Sequence, residues 1–168
     1  MLDDFYGSIQ GGLQEKLGCV LFQLPPKYAF SAERLQDLIQ NMRPGFKNVV
    51  EFRHSSWWTE TVYKELAKQG ITFTGHSHPI GVPDEAIVNT PVAYYRFHGV
   101  PDLFYSSYKH DVLEHIADSL LKNKKAEEVY IYFNNTAAMG AIENAVWLTD
   151  YLKESGVIFE MHAQRLSE

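Results

Sequence analysis

The chain has 168 residues, of which 45% are hydrophobic and 21% charged, and its formal net charge is -6. This length and composition predict one globular domain and exclude a disordered or collagen-like chain. The acidic balance gives no general attraction to nucleic acid or to anionic membranes, so a local basic pocket would have to bind any anionic ligand.

The amino terminus and the single cysteine indicate a cytoplasmic protein. Residues 1–5 lack the basic and apolar regions of a signal peptide, and no apolar run approaches the ~18 residues of a membrane span. Cys19 lies in an apolar run and has no second cysteine for an intramolecular disulfide, which is typical of a reducing compartment. We therefore expect no contact with a membrane.

Hydrophobic periodicity predicts helices and strands in alternation. The predicted helices cover residues 2–16, 31–42, 59–70, 111–122 and 138–153. The predicted strands cover residues 19–24, a stretch beginning at Val49, 71–74, 92–99 and 129–133, and a short apolar run covers 157–159. The third predicted strand runs into residues 75–79, which are followed by an irregular loop through Val88. Five strands alternating with helices predict parallel pairing and hence an α/β architecture.

Polar residues are concentrated where the predicted strands end. Because the carboxyl ends of parallel strands meet at one edge of a sheet, we expect these residues to share a site. They are Gln23, Glu51, Arg53, His54, His76, His78, Arg96, His98, Asn134 and Asn135.

Glu51 and Arg53 are two residues apart in an otherwise apolar strand, so their side chains lie on the same face. Burying a charge costs several kcal/mol unless the charge is paired. The pattern therefore indicates either a shared polar ligand site or a structural ion pair, for which Glu51 and Arg96 are candidate partners.

The donors at this edge are suited to phosphate or carboxylate. We predict a small anionic ligand, phosphorylated or nucleic-acid-like, although the net charge does not support nucleic acid. Arg53 and Arg96 would clamp the anion. The predicted substrate-binding residues are Gln23, Arg53, His54, Trp57, Arg96, Tyr105, Tyr108, Asn134 and Asn135. The aromatic members follow strand ends and would form either a stacking surface or packing of the loops.

His98 and Glu51 are the predicted catalytic residues of a possible hydrolytic step, because a histidine near a carboxylate titrates close to neutrality. No nucleophilic triad, phosphate loop or nucleotide fingerprint occurs, so no cofactor is predicted. His76 and His78 have a spacing that metal ligands can use, but histidines beside Pro79 are more often loop residues, and no metal site is predicted. The alternative is a non-catalytic binding or interaction protein, or an inactive barrel fragment.

Four motifs in order resemble the YecE-like family, domain of unknown function seventy-two. They lie at residues 21–26, 50–57, 95–99 and 129–135, and the resemblance covers about residues 13–152. It implies a TIM-barrel-like fold of about eight strands, of which this chain would supply the fourth to the eighth. Residues 1–168 would then be a single domain, the C-terminal part of a barrel that lacks its first three strands. The family's activity is not established, so the resemblance implies no reaction.

The sequence departs from the family pattern after the third predicted strand. Relatives often carry an aspartate there, whereas this chain has residues 75–78, Gly-His-Ser-His. A partial barrel would also leave its first and last strands with unpaired edges, and neither run contains a protective lysine or proline. We therefore expect a homo-oligomer that pairs or hides these edges.

Overall fold

A computed structural model describes residues 2–157 of the chain. The helices are α1 (Leu2–Leu13), α2 (Ala32–Asn41), α3 (Glu60–Lys68), α4 (His110–Leu121) and α5 (Gly140–Glu154). The strands are β1 (Cys19–Leu24), β2 (Lys47–Phe52), β3 (Thr72–Phe73), β4 (Gly75–Ser77), β5 (Val92–Phe97) and β6 (Glu128–Phe133). The predicted helices and strands are confirmed to within a few residues at their ends. The predicted apolar run that starts at Val157 continues outside the described residues.

All strand pairs are parallel, which confirms the predicted α/β architecture. The strands form two sheets, in the orders β1-β2-β3 and β4-β5-β6. Thr74 alone separates β3 from β4, and its backbone N–H donates to the Val50 carbonyl at 2.9 Å. One stretch of chain therefore joins the two sheets, pairing first with β2 and then with β5.

The predicted third strand ends at Thr74, whereas in the structure Gly75–Ser77 form a further strand, β4. The irregular connection begins only after this strand, and it packs across the sheet. Asp84 attaches it there by accepting hydrogen bonds from the Ser77 hydroxyl, at 2.7 Å, and from the Tyr95 hydroxyl. The connection between β4 and β5, residues 78–91, is thus irregular and contains no helix.

Alternating side chains give the sheets two different faces. One face packs on the helices through two apolar clusters, centred on Phe52 and Trp57 in one half and on Tyr95 and Phe97 in the other. The opposite face carries Gln23, Glu51, Arg53, Arg96 and Tyr132, and we call it the polar face. None of the helices within residues 2–157 has the length and apolar character needed to cross a membrane.

The buried face of helix α5 combines apolar residues with a polar one. Ile142 is exposed, whereas Ala141, Leu148 and Leu152 are buried. The buried face also contains Asn144, whose side chain bonds to the backbone of Tyr108 at 3.0 and 2.9 Å. Because these hydrogen bonds satisfy the amide, a polar residue occupies a position that periodicity alone would assign to an apolar one.

Gly75→Ala is expected to lower the free energy of unfolding by about 1–3 kcal/mol, the usual cost of overpacking. A Cβ at this position would clash with the Glu85 carbonyl oxygen and would lie 2.8 Å from Tyr95 Cδ2. Gly11→Ala is the control, because a Cβ there meets nothing within 4 Å in helix α1. This control should gain about 0.5–1 kcal/mol. Urea titrations that find both variants equally stable would contradict the close approach at Gly75.

Candidate functional site

Six of the predicted residues come together on the polar face, near the carboxyl ends of the strands. Glu51 lies in β2 beside Gln23 of β1 in the parallel register, and Arg53 follows directly after β2. The second sheet, β4-β5-β6, contributes Arg96 from β5, with His98 and Asn134 just beyond the ends of β5 and β6. Hydrogen bonds between these side chains connect the two sheets.

Glu51 is the centre of this network. Its carboxylate is completely buried and accepts from Arg53 Nε at 2.8 Å and from Arg96 Nη1 at 2.5 Å. His98 Nε2 lies 3.6 Å from the same oxygen that Arg96 contacts. Burial alone would raise the pKa of Glu51, but His98 and the two guanidinium groups outweigh burial and hold this pKa below its usual value. The carboxylate is therefore ionised at neutral pH.

Gln23 and Asn134 fix the orientation of the two arginines. Gln23 Oε1 accepts from Arg53 Nη2 at 2.9 Å and from Arg96 Nη1 at 3.2 Å. Asn134 Oδ1 accepts from Arg96 Nε at 3.1 Å. The arginine side chains are still 18% and 13% exposed, for Arg53 and Arg96 respectively. Both guanidinium groups are thus held in place, and part of each arginine side chain remains accessible to solvent.

Three histidines lie beside this network and are almost completely buried. The ring centroids of His76 and His98 are 6.0 Å apart, and those of His78 and His98 are 4.8 Å apart. None of their ring nitrogens has a hydrogen-bond partner among residues 2–157. Burial lowers the pKa of His76 to about 3 and that of His78 to about 4, so both rings are neutral at neutral pH. In an extended segment, side chains two residues apart point the same way. The His-x-His spacing was therefore a sequence signal that the rings of His76 and His78 lie on one face.

His54 and Trp57 do not join the network. The His54 ring accepts from the Ser56 backbone N–H at 3.2 Å and so caps the short 3-10 helix Ser55–Trp57. Trp57 is completely buried and stacks on Phe52 with ring centroids 4.2 Å apart. Its indole N–H donates to the Tyr28 carbonyl at 2.6 Å. The Trp57 ring belongs to the hydrophobic core and has no free face for a ligand.

Tyr105, Tyr108 and Asn135 also lie apart from the arginines. The Tyr108 hydroxyl accepts from the Gly99 backbone N–H at 2.8 Å, and the Asn135 amide donates to the Ser106 carbonyl at 3.1 Å. Tyr108 and Asn135 are buried and hold the loop that follows β5. Tyr105 lies in the same loop with its side chain largely exposed.

The described residues contain neither a cluster of metal ligands nor a reactive thiol. Within the described part of the chain, no group of three or more histidine, cysteine, aspartate or glutamate residues is arranged to hold a metal ion. Burial raises the pKa of Cys19 to about 11, so this thiol is protonated at neutral pH. Cys19 is therefore a poor nucleophile, in agreement with its position in an apolar strand.

Comparisons with known proteins agree with the resemblance seen in the sequence. The sequence profile of the family described as "Protein of unknown function DUF72" matches residues 1–166. A DUF72 family protein from Thermotoga maritima has a similar structure, with 27% identity and a TM-score of 0.81 over 90% of this chain. A DUF72 family protein from Enterococcus faecalis is 22% identical with a TM-score of 0.77 over 91% of this chain, a likeness in fold alone. No protein of curated function matches the chain.

The match covers only part of these relatives. This chain covers 64% of the Thermotoga maritima protein and 68% of the Enterococcus faecalis protein. It therefore spans less than two thirds of the first of them.

Proposed function

The chain belongs to the DUF72 family, whose function is unknown, and we propose from its own residues that the polar face binds a small anionic ligand, most simply a phosphorylated compound. We further propose that residues 1–168 are the C-terminal part of a TIM-barrel-like domain. In this assignment β1 and β2 are the fourth and fifth strands, β3 and β4 together are the sixth, and β5 and β6 are the seventh and eighth. The parallel pairing of all the described strands supports a barrel-like arrangement.

The observation that carries the proposal is a surplus of positive charge. Two guanidinium groups, of Arg53 and Arg96, share the single carboxylate of Glu51. The neighbouring rings of His76 and His78 are neutral and add no charge. An arginine pair that is only half neutralised, oriented by hydrogen bonds and partly accessible, favours a bound anion.

Each arginine also keeps hydrogen-bond donors for a ligand. Arg53 uses Nε and Nη2 on Glu51 and Gln23, and Arg96 uses Nε and Nη1 on Asn134, Glu51 and Gln23. Arg53 Nη1 and Arg96 Nη2 make no hydrogen bond with other residues of the described part of the chain. These nitrogens are the donors that the proposal assigns to a phosphate, whose terminal oxygens accept hydrogen bonds from guanidinium groups.

Hydrolysis of a phosphate ester is the reaction that this arrangement would perform, with His98 as the proton carrier. A water oxygen would attack phosphorus while the bond to the ester oxygen breaks. His98 would take a proton from the water and return it to the departing alcohol, leaving phosphate and the free alcohol. Glu51 has a lowered pKa and both oxygens occupied, so it would position the arginines and His98 and would not act as the base.

The alternative is a binding protein without catalysis, and one observation favours it. His98 is only 1% exposed and Glu51 is completely buried, so the candidate proton carrier is covered in this conformation. Release of p-nitrophenol from p-nitrophenyl phosphate by the whole chain would support hydrolysis. Phosphate binding without turnover would support the binding protein.

Arg53→Gln is expected to weaken binding of inorganic phosphate by at least about tenfold, because a hydrogen bond to a charged group is worth roughly 1.5–3 kcal/mol. Arg43→Gln is the matched control: Arg43 is exposed at the opposite end of β2, and the substitution removes the same charge. Isothermal titration calorimetry at low ionic strength would measure both. Equal affinities for the two variants, or no binding to the unmodified chain, would refute the proposed site.

Self-association is a further proposal about partners. In the described residues β1 pairs only with β2, and β6 pairs only with β5, so each has one unpaired edge. The predicted homo-oligomer through these edges stays a prediction.

A further inference from the structure

Tyr132 is an aromatic residue of the polar face that the sequence did not single out. It lies in β6, directly opposite Arg96 of β5 in the parallel register. Side chains opposite each other on neighbouring strands are about 5 Å apart at their Cβ atoms. Asn134, two residues further along β6 and on the same face, bonds to the Arg96 guanidinium at 3.1 Å. Tyr132 therefore lies immediately beside Arg96.

The Tyr132 ring is supported on one side and accessible to solvent. It stacks on Tyr94 with ring centroids 5.0 Å apart and an angle of 25° between the rings. Tyr94 in turn stacks on Tyr130, with centroids 6.2 Å apart. Tyr94 is buried, whereas Tyr132 is 44% exposed. Tyr132 is thus the outer ring of a three-ring stack, and its position is set before any ligand arrives.

The aromatic residues that the sequence proposed for stacking are less suitable. Trp57 is completely buried in the core, and the Tyr108 hydroxyl is bonded to the backbone of its own loop. Tyr105 is exposed in an irregular loop, and within residues 2–157 its side chain makes no hydrogen bond or ring contact with the arginine network. A stacking surface needs a fixed and accessible ring near the charged group of the ligand, and Tyr132 meets each of these conditions.

We propose that Tyr132 is a specificity-determining residue that stacks on a flat ring of the ligand while Arg53 and Arg96 hold its phosphate. This rests on the proposed function and narrows it to phosphate esters that carry a flat ring close to the phosphate, a class that includes nucleoside monophosphates. The neutral rings of His76 and His78 leave the positive charge with the arginines, so the anionic and flat parts of the ligand meet separate surfaces.

The test compares adenosine monophosphate with inorganic phosphate by isothermal titration calorimetry on the whole chain. The unmodified chain should bind adenosine monophosphate roughly 5- to 150-fold more tightly than phosphate, which is the range that one stacked base provides. Tyr132→Ala should reduce the affinity for adenosine monophosphate to that for phosphate, whereas Tyr132→Phe should retain the difference between the two. Phe5→Ala removes an equally exposed ring from α1, on the helix side, and should change neither affinity.

The outcomes separate this inference from the proposed function. Phosphate binding with no added affinity for adenosine monophosphate would overturn the inference and leave the anion site intact. Loss of the advantage in Tyr105→Ala but not in Tyr132→Ala would also overturn it, because the stacking ring would then be in the loop. Failure of the unmodified chain to bind either probe would overturn both proposals.

Discussion

Glu51→Ala is expected to lower the free energy of unfolding by about 3–5 kcal/mol, the usual cost of removing one partner from a buried ion pair. The substitution would leave the guanidinium groups of Arg53 and Arg96 close together without their shared carboxylate. Two like charges in a partly desolvated site repel each other, and the hydrogen-bond donors that faced Glu51 would lose their acceptor. Chemical denaturation at neutral pH would measure the loss.

Glu128→Ala is the matched control for this prediction. Glu128 pairs with Lys47 at 2.6 Å, but both side chains are nearly half exposed. An exposed pair is worth about 0–1 kcal/mol, because water solvates each charge when the other is removed. A loss in Glu51→Ala as small as that in Glu128→Ala would mean that solvent reaches the network, and it would remove the electrostatic basis of the candidate site.

Stability is also expected to fall as the pH decreases below about 6.5, before carboxylates begin to protonate. Burial lowers the pKa of His76 to about 3 and that of His78 to about 4. The unfolded chain therefore binds more protons than the folded chain in this interval. The stabilisation is fully present above the unfolded pKa of about 6.5 and is lost progressively as the pH falls toward the folded values. At about pH 5, His76 alone should account for a loss of about 2 kcal/mol.

The histidine contribution can be isolated by substitution. His76→Gln cannot titrate, so its free energy of unfolding should depend less steeply on pH between about 6.5 and 4.5 than that of the unmodified chain. His115→Gln is the control, because His115 is exposed on α4. Glu51 has a lowered pKa and contributes stability above its unfolded pKa of about 4.3, which is lost only at still lower pH. Identical slopes for His76→Gln and the unmodified chain would show that the His76 ring is hydrated.

Local sequence patterns were sufficient for most of the secondary structure. Ser31 and Thr59 are of the residue types that favour helix N-caps, and they accept from the backbone N–H groups of Arg34 and Val62 at 3.2 and 3.4 Å. The strands were recognisable from β-branched and aromatic runs. Strand β4 was missed because Gly75 and Ser77 are typical of turns, and only the segment packed across Gly75 reveals why a residue without a side chain is needed there.

The sequence by itself determined the α/β alternation and the location of the polar residues, because both follow from periodicity along a strand and from the rule that parallel strands share their carboxyl ends. It also indicated Glu51, Arg53 and Arg96 as neighbours, since charge in an apolar strand must be paired. Only the tertiary structure decided which ring is accessible: Trp57 lies in the core, while Tyr132 lies beside Arg96. Solvent exposure of a side chain depends on what packs against it from distant parts of the chain, and no local pattern contains that information.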